Sequence, residues 1–101
     1  MRMIMRVTMP NEPFNSYVRD GSAGAKMAKV LGEVKPEAAY FFAPEGHRGG
    51  ILIVNMDNSS EIPGLAEPFF LMFDAKVHFD PCMTPEDLAK SGLDSIGQKW
   101  S

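Results

Sequence analysis

Cysteine is nearly absent from this chain of 101 residues: Cys82 stands alone, beside only two histidines, His47 and His78. An intrachain disulfide is therefore excluded, and the four-ligand Cys/His zinc patterns cannot be assembled, so no metal site is expected and a reducing cytoplasm is the expected compartment. Basic runs are missing as well. Ten Lys and Arg against thirteen Asp and Glu leave a net charge of −3, which disfavours nucleic acid and anionic membranes as partners. No apolar stretch approaches the ~20 residues that cross a bilayer. The N-terminal Met1-Arg2-Met3-Ile4-Met5-Arg6-Val7 begins like a signal peptide, but Arg6 interrupts it before a secretory length is reached, so export is not expected. Repeats, linkers and low-complexity tracts are also lacking, and residues 1–101 read as one domain.

What the chain does contain is clear alternation. Met3, Met5, Val7 and Met9 share one parity and Ile4, Arg6 and Thr8 the other, which predicts a strand over 2–9. Pro10 to Pro13 ends it, with Asn11 as the expected cap of a helix that carries Met27, Val30, Leu31 and Val34 at i, i+3, i+4, i+7 spacing. Gly21 and Gly24 weaken that helix, so a break near Gly21 with Ser22 recapping is expected. Aromatic-rich 38–43 predicts a second strand. The glycine-rich Pro44-Glu45-Gly46-His47-Arg48-Gly49-Gly50 reads as a turn, and β-branched 51–56 as the third strand of a hairpin. Asn58 and Glu61 form an approximate capping box before a helix whose Ile62, Leu65, Ala66, Phe69 and Phe73 make one stripe; Pro68 lies inside it and predicts a kink. A fourth strand over 76–80 is stopped by Pro81. Thr84-Pro85-Glu86-Asp87 starts a short C-terminal helix, Gly92 ends it, and Leu93, Ile96 and Trp100 share one face of a last fragment.

The order β-α-β-β-α-β is that of an α+β, ferredoxin-like fold, an antiparallel sheet with helices on one face. The parities then place Met3, Met5, Val7, Met9, Val77 and Phe79 against the helices. The opposite face carries Arg6, Lys76, His78 and Asp80 together with Ile4, Ile51, Ile53, Tyr40 and Phe42, and is too apolar to stay bare. A second copy of the sheet is the simplest cover, which makes a homodimer the expected assembly.

Lys35-Pro36-Glu37-Ala38-Ala39-Tyr40-Phe41, His47-Arg48-Gly49-Gly50, Ile62-Pro63, Ala66-Glu67-Pro68 and Met83-Thr84-Pro85-Glu86-Asp87-Leu88 together resemble small bacterial proteins of the dimeric α/β-barrel group. The likeness spans nearly the whole chain. It implies ferredoxin-like subunits whose sheets face each other in a homodimer, but the members it resembles most carry no assigned activity. More distant members include muconolactone isomerases, cofactor-free quinone-forming monooxygenases, haem-degrading enzymes and stress-responsive proteins, and fold analogy across that range selects no chemistry.

Among single residues, His78 is the sharpest candidate, since an imidazole on a strand facing a closed space can move protons near neutral pH. Asp80, two residues on and on the same face, is positioned to orient it, and Arg6 on the neighbouring strand to hold an anion. The same side chains also read as the polar rim of an interface. Tyr40 and Phe42 offer amphipathic and apolar walls; with Phe41, Phe69 and Phe73 they predict an apolar pocket between sheet and helices or inside a dimeric barrel. His47 and Arg48 sit where loop binding residues gather, although the glycines lead into a strand and so form no phosphate cradle. Glu67 beside Pro68 is a candidate base, half-exposed by its helical phase. Cys82 lacks a resolvable base partner. No cofactor is expected. Two functions remain open at this stage: a small-molecule site with isomerase-like or cofactor-free oxygenase-like chemistry, and a non-catalytic dimeric partner module.

Overall fold

The computed structural model describes residues 1–101. Alternation in 2–9 produces strand β1 (Arg2–Met9), with Met3, Met5, Val7 and Met9 buried and Arg6 exposed. A first helix, α1 (Phe14–Asp20), ends at Gly21, whose φ of 81° lies in the left-handed region that glycine enters without a Cβ penalty. Helix α2 (Ala23–Val34) follows at once, so the expected break at Gly21 is present. Two expected caps take other forms. Asn11 supplies its carbonyl, 2.6 Å from the Asn15 amide, while the Glu12 carboxylate accepts from the Ser16 hydroxyl at 2.7 Å and the Ser16 amide at 3.3 Å. The Ser22 amide in turn donates to Asp20 Oδ1 at 2.8 Å, and the Ser22 hydroxyl accepts from Lys26. A carboxylate satisfies orphan amides better than a neutral side chain because the bond is charge-assisted.

Strand β2 (Ala38–Phe42) and strand β3 (Arg48–Asn55) form the hairpin, joined by a tight turn at Pro44–Gly46. Here the structure corrects the turn reading, because Gly49 and Gly50 belong to β3. A Cβ on Gly49 would stand 2.6 Å from the Val7 carbonyl oxygen and 2.7 Å from the Pro44 ring, and one on Gly50 would press on the Phe41 ring at 3.1 Å. Close backbone approach within a sheet, rather than a bend, requires these glycines. A short turn at Ser59–Glu61 leads into helix α3 (Ile62–Phe73), a single run with Pro68 inside it. Strand β4 (Lys76–Pro81) completes the sheet, and two short helices end the chain, α4 (Pro85–Lys90) and α5 (Leu93–Lys99).

The strands lie in the order β2-β3-β1-β4, each pair antiparallel. This is the ferredoxin-like arrangement of an α+β fold. One sheet face packs on α2 and α3: Met5, Leu52 and Phe73 are fully buried, joined by Val7, Val54, Phe69, Val30 and Val34. Burying each such side chain contributes roughly 1.5–3 kcal/mol. Tyr17 packs edge-on against Phe73 and donates its hydroxyl to the Met72 carbonyl at 2.9 Å, which fastens α1 to α3.

Beyond β4 the character changes. Every residue from Pro85 to Ser101 is exposed, and the Cα radius of gyration is 17.1 Å where a compact chain of this size has about 13 Å. The last two helices project from the body as an arm. Its first turn is nonetheless firmly capped: Thr84 Oγ1 accepts from the Asp87 amide while Asp87 Oδ2 accepts from the Thr84 amide, both at 3.1 Å.

Candidate functional site

The register lines up residues across the uncovered sheet face. Tyr40 is opposite Ile51, Ile51 opposite Arg6 and Arg6 opposite His78, so these four make one row spanning all strands. The next row toward the chain termini is Ala38, Ile53, Ile4 and Asp80, and the row on the other side is Phe42, Gly49, Thr8 and Lys76. The face is thus apolar at its β2 and β3 side and polar at its β4 side.

Arg6 and Asp80 meet diagonally, Nη2 to Oδ2 at 2.9 Å. The sequence pairs Asp80 with His78 by proximity, yet in the structure the carboxylate serves Arg6. Like-faced neighbours two apart on one strand point out of the sheet in parallel, whereas the diagonal cross-strand position lies within reach of a long guanidinium. Only one of the five N–H donors of Arg6 is used in that contact, which leaves its fork able to receive an anion. His78 is exposed and makes no side-chain hydrogen bond within the chain.

A concavity of about 490 Å³ opens on this face, lined by Arg6, Thr8, His78, Phe42, Pro44 and Glu45. Glu45 was not anticipated. The Pro44–Gly46 turn places both Glu45 (φ 53°) and Gly46 (φ 81°) in the left-handed region, and this sharp reversal sets Glu45 among the residues that line the concavity. A proline-acid-glycine triplet between two strands was the available signal, but turn chemistry alone does not say over which sheet face the turn folds.

The remaining candidates scatter. His47 lines a different hollow of about 390 Å³ at the end of the sheet, with Thr8, Asp74 and Lys76. Arg48 turns to the helix side, where its guanidinium stacks 4.7 Å over the Phe14 ring and donates to Asn15 Oδ1 at 2.7 Å, a structural clamp on α1. Phe69 is 1% exposed and packs at 6.3 Å from Phe73. It belongs with Phe73 to a filled core, whereas Phe41 and Phe42 line a shallow concavity of about 310 Å³ at the sheet edge, against Phe14 and Met27 of the helices. Phe41 faces the helix side, one residue out of phase with Tyr40 and Phe42. Glu67 is exposed on α3, on the far side of that core from His78. Cys82 is half-buried and extends the strand pairing, its amide donating to the Arg2 carbonyl at 3.1 Å.

Four carboxylates titrate below their usual range, and all stand at helix or turn starts away from the row. The Ser16 hydroxyl lowers Glu12, the Ser22 side chain lowers Asp20, the Asn58 amide lowers Glu61 and the Thr84 amide lowers Asp87. Each hydrogen bond favours the charged form. The candidate site therefore consists of His78, the Arg6–Asp80 pair, Tyr40, Phe42 and Glu45, with no cluster of His, Cys, Asp and Glu fit to hold a metal ion.

No protein-family model and no curated protein matches the chain. Among solved structures, it is similar to 5-chloro-2-hydroxyhydroquinone dehydrochlorinase from Burkholderia phenoliruptrix AC1100, in complex with 2,5-dihydroxybenzoquinone: the match covers 85% of this chain and 97% of that one, with a TM-score of 0.61 and 13% identity. At that identity the likeness carries the fold and leaves the chemistry to the residues themselves.

Proposed function

We infer that the protein is a homodimer that binds a small planar anionic or aromatic molecule on the uncovered sheet face, with His78 as the proton-transferring group. The observation that carries this reading is the row of His78, Arg6, Ile51 and Tyr40 beside an open concavity of about 490 Å³. An imidazole can serve as a general acid or base, and no side-chain hydrogen bond within the chain occupies that of His78. The guanidinium beside it offers unused donors to an oxyanion, Tyr40 offers a hydroxyl, and Phe42 and Ile51 offer flat apolar contact. Such a set suits proton shifts of the isomerase type on an acidic, conjugated substrate. It gains support from the dehydrochlorinase of the same fold, which is in complex with a small quinone. Facing of two such sheets would shield the apolar side of the face and exclude water from the row.

The test uses 2,5-dihydroxybenzoquinone as probe, followed by calorimetry across pH 5 to 8. Wild-type protein is expected to bind it with a pH-dependent affinity, and His78→Ala to bind at least about tenfold more weakly with that dependence flattened. Unchanged affinity and pH dependence in the variant would remove His78 from the site. A stable single subunit in light scattering would remove the shared chamber.

The Arg6–Asp80 contact favours a second reading, a non-catalytic dimer in which this pair is part of a polar rim. Under that reading the wild type does not bind the probe at millimolar concentration.

A further inference from the structure

The concavity beside His78 has part of its wall set by a seat built into the sheet. Gly49 lies on the uncovered face, in the row of Phe42, Thr8 and Lys76, and a Cβ there would stand 2.7 Å from Pro44 Cγ and 2.8 Å from its Cδ. The proline ring occupies the space that a side chain at position 49 would fill. Two backbone bonds close the turn, the Gly46 amide donating to the Ala43 carbonyl at 3.3 Å and the His47 amide to the Pro44 carbonyl at 3.1 Å. Held on this face, the turn sets Glu45 in the same wall as Arg6, Thr8 and His78. Turn formation alone does not select a glutamate there, because at φ 53° glycine, asparagine and aspartate are the readier occupants.

What Glu45 adds to the hollow is charge of the opposite sign. Arg6 is the guanidinium of this wall, and Asp80, which bonds it, is not among the lining residues. Glu45 is exposed and has no ion pair within the chain. One part of the wall therefore offers unused donors and another an acceptor-only group. Along β1 the row of Arg6 and the row of Thr8 and Gly49, on which Pro44 sits, are two residues apart, roughly 7 Å at 3.4 Å per residue. That is about the span of one aromatic ring substituted at both ends. A bare carboxylate entering the hollow gains Arg6 but meets Glu45 as a like charge, whereas a molecule that also carries a hydroxyl gains a charge-assisted bond at that place.

We propose that Glu45 is the specificity-determining residue of this site, accepting a hydrogen bond from a hydroxyl of the ligand while Arg6 takes its anionic end, so that the ligand is a hydroxylated aromatic acid. The proposal rests on the ligand-site reading of this face and narrows the class of molecule it takes.

Benzoate and 4-hydroxybenzoate, which differ by that hydroxyl, are the probes, titrated calorimetrically at neutral pH beside 2,5-dihydroxybenzoquinone. The wild type is expected to bind 4-hydroxybenzoate at least about fivefold more tightly than benzoate. Glu45→Ala is expected to move the two in opposite directions: benzoate binds about twofold more tightly once the like charge is gone, 4-hydroxybenzoate binds at least about twofold more weakly, and the preference disappears. Glu45→Gln, a neutral acceptor of the same length, is expected to fall between the two. Arg6→Ala weakens both probes and leaves their ratio unchanged. Because Glu45 is exposed in a turn, its variants keep the core; far-ultraviolet circular dichroism checks this, and should Glu45→Ala lose structure, Glu45→Gln carries the same test. A merely structural role for Glu45 shifts both probes by one factor. Such a parallel shift, equal binding of the two acids by the wild type, an Arg6→Ala variant without effect, or binding of the quinone but of neither acid overturns the proposal and leaves the site standing. No binding of any of the three probes at millimolar concentration overturns the site and the proposal together.

Discussion

Two neighbouring residues of β3 show how differently the two faces of one sheet are used. Leu52 is fully buried against the helices, while Ile51, one position earlier, looks out over Tyr40 and Arg6. The side-chain period of two sends them to opposite faces. On the helix side the chain satisfies itself: Met5, Leu52, Phe69 and Phe73 fill the space. On the other side the same strands end in isoleucines, aromatics and a charged pair that nothing in the single chain covers. The first face is finished within one subunit, and the second calls for a partner or a ligand.

The largest expected effect lies on the finished face. Leu52→Ala removes buried methyl groups from a site with no room to collapse, so about 2–5 kcal/mol of stability is lost, read as a lower midpoint in urea unfolding with an unchanged slope. Ile51→Lys, next door, is expected to leave the stability of the isolated subunit within about 0.5 kcal/mol. Its effect falls on assembly: if the proposed homodimer forms through this face, a charge in its apolar half is expected to leave single subunits in light scattering where the wild type gives a dimer. If Ile51→Lys unfolds the chain, or leaves a dimer intact, the division between the two faces is drawn wrongly.

How much of this division was legible beforehand depends on what each feature rests upon. The alternation in β1 and β4 assigned Met3, Met5, Val7, Val77 and Phe79 to one face and Arg6, His78 and Asp80 to the other, because period two is a property of the backbone and survives any tertiary context. Register was harder. That Arg6 stands opposite His78 but bonds to Asp80 depends on a diagonal reach between strands far apart in sequence. Gly49 and Gly50 read as turn residues because glycine signals both bends and close approach, and only the Pro44 and Phe41 rings above them distinguish the two. Phe69 and Phe42 are both aromatic, both near the sheet in any topology, and separated only by which layer they enter. Glu45 escaped notice since a turn's side of the sheet is set by its φ angles. Arg48 illustrates the converse, a loop-like cation that turns out to stack on Phe14 and pin a helix.

The smallest expected effect sharpens the comparison most. Arg6 and Asp80 are more than half exposed and touch at 2.9 Å, and pairs in such surroundings contribute about 0.2–1 kcal/mol. Asp80→Ala therefore lowers the melting temperature by no more than about 4–8 °C for a domain near this size, with a difference that fades as salt screens the pair in the wild type. What the substitution does to binding separates the two uses of the face. Were the pair merely a rim contact, its loss would weaken the dimer and nothing else. If Arg6 is the group that receives an anion, removing Asp80 frees the whole guanidinium fork and deletes a nearby negative charge. The probe 2,5-dihydroxybenzoquinone should then bind several-fold more tightly to Asp80→Ala than to wild type, and more weakly to Arg6→Ala, in the same calorimetric titration. A ligand site gains from the loss of Asp80 where an interface can only lose, and equal or weaker binding by Asp80→Ala would return this face to the interface reading.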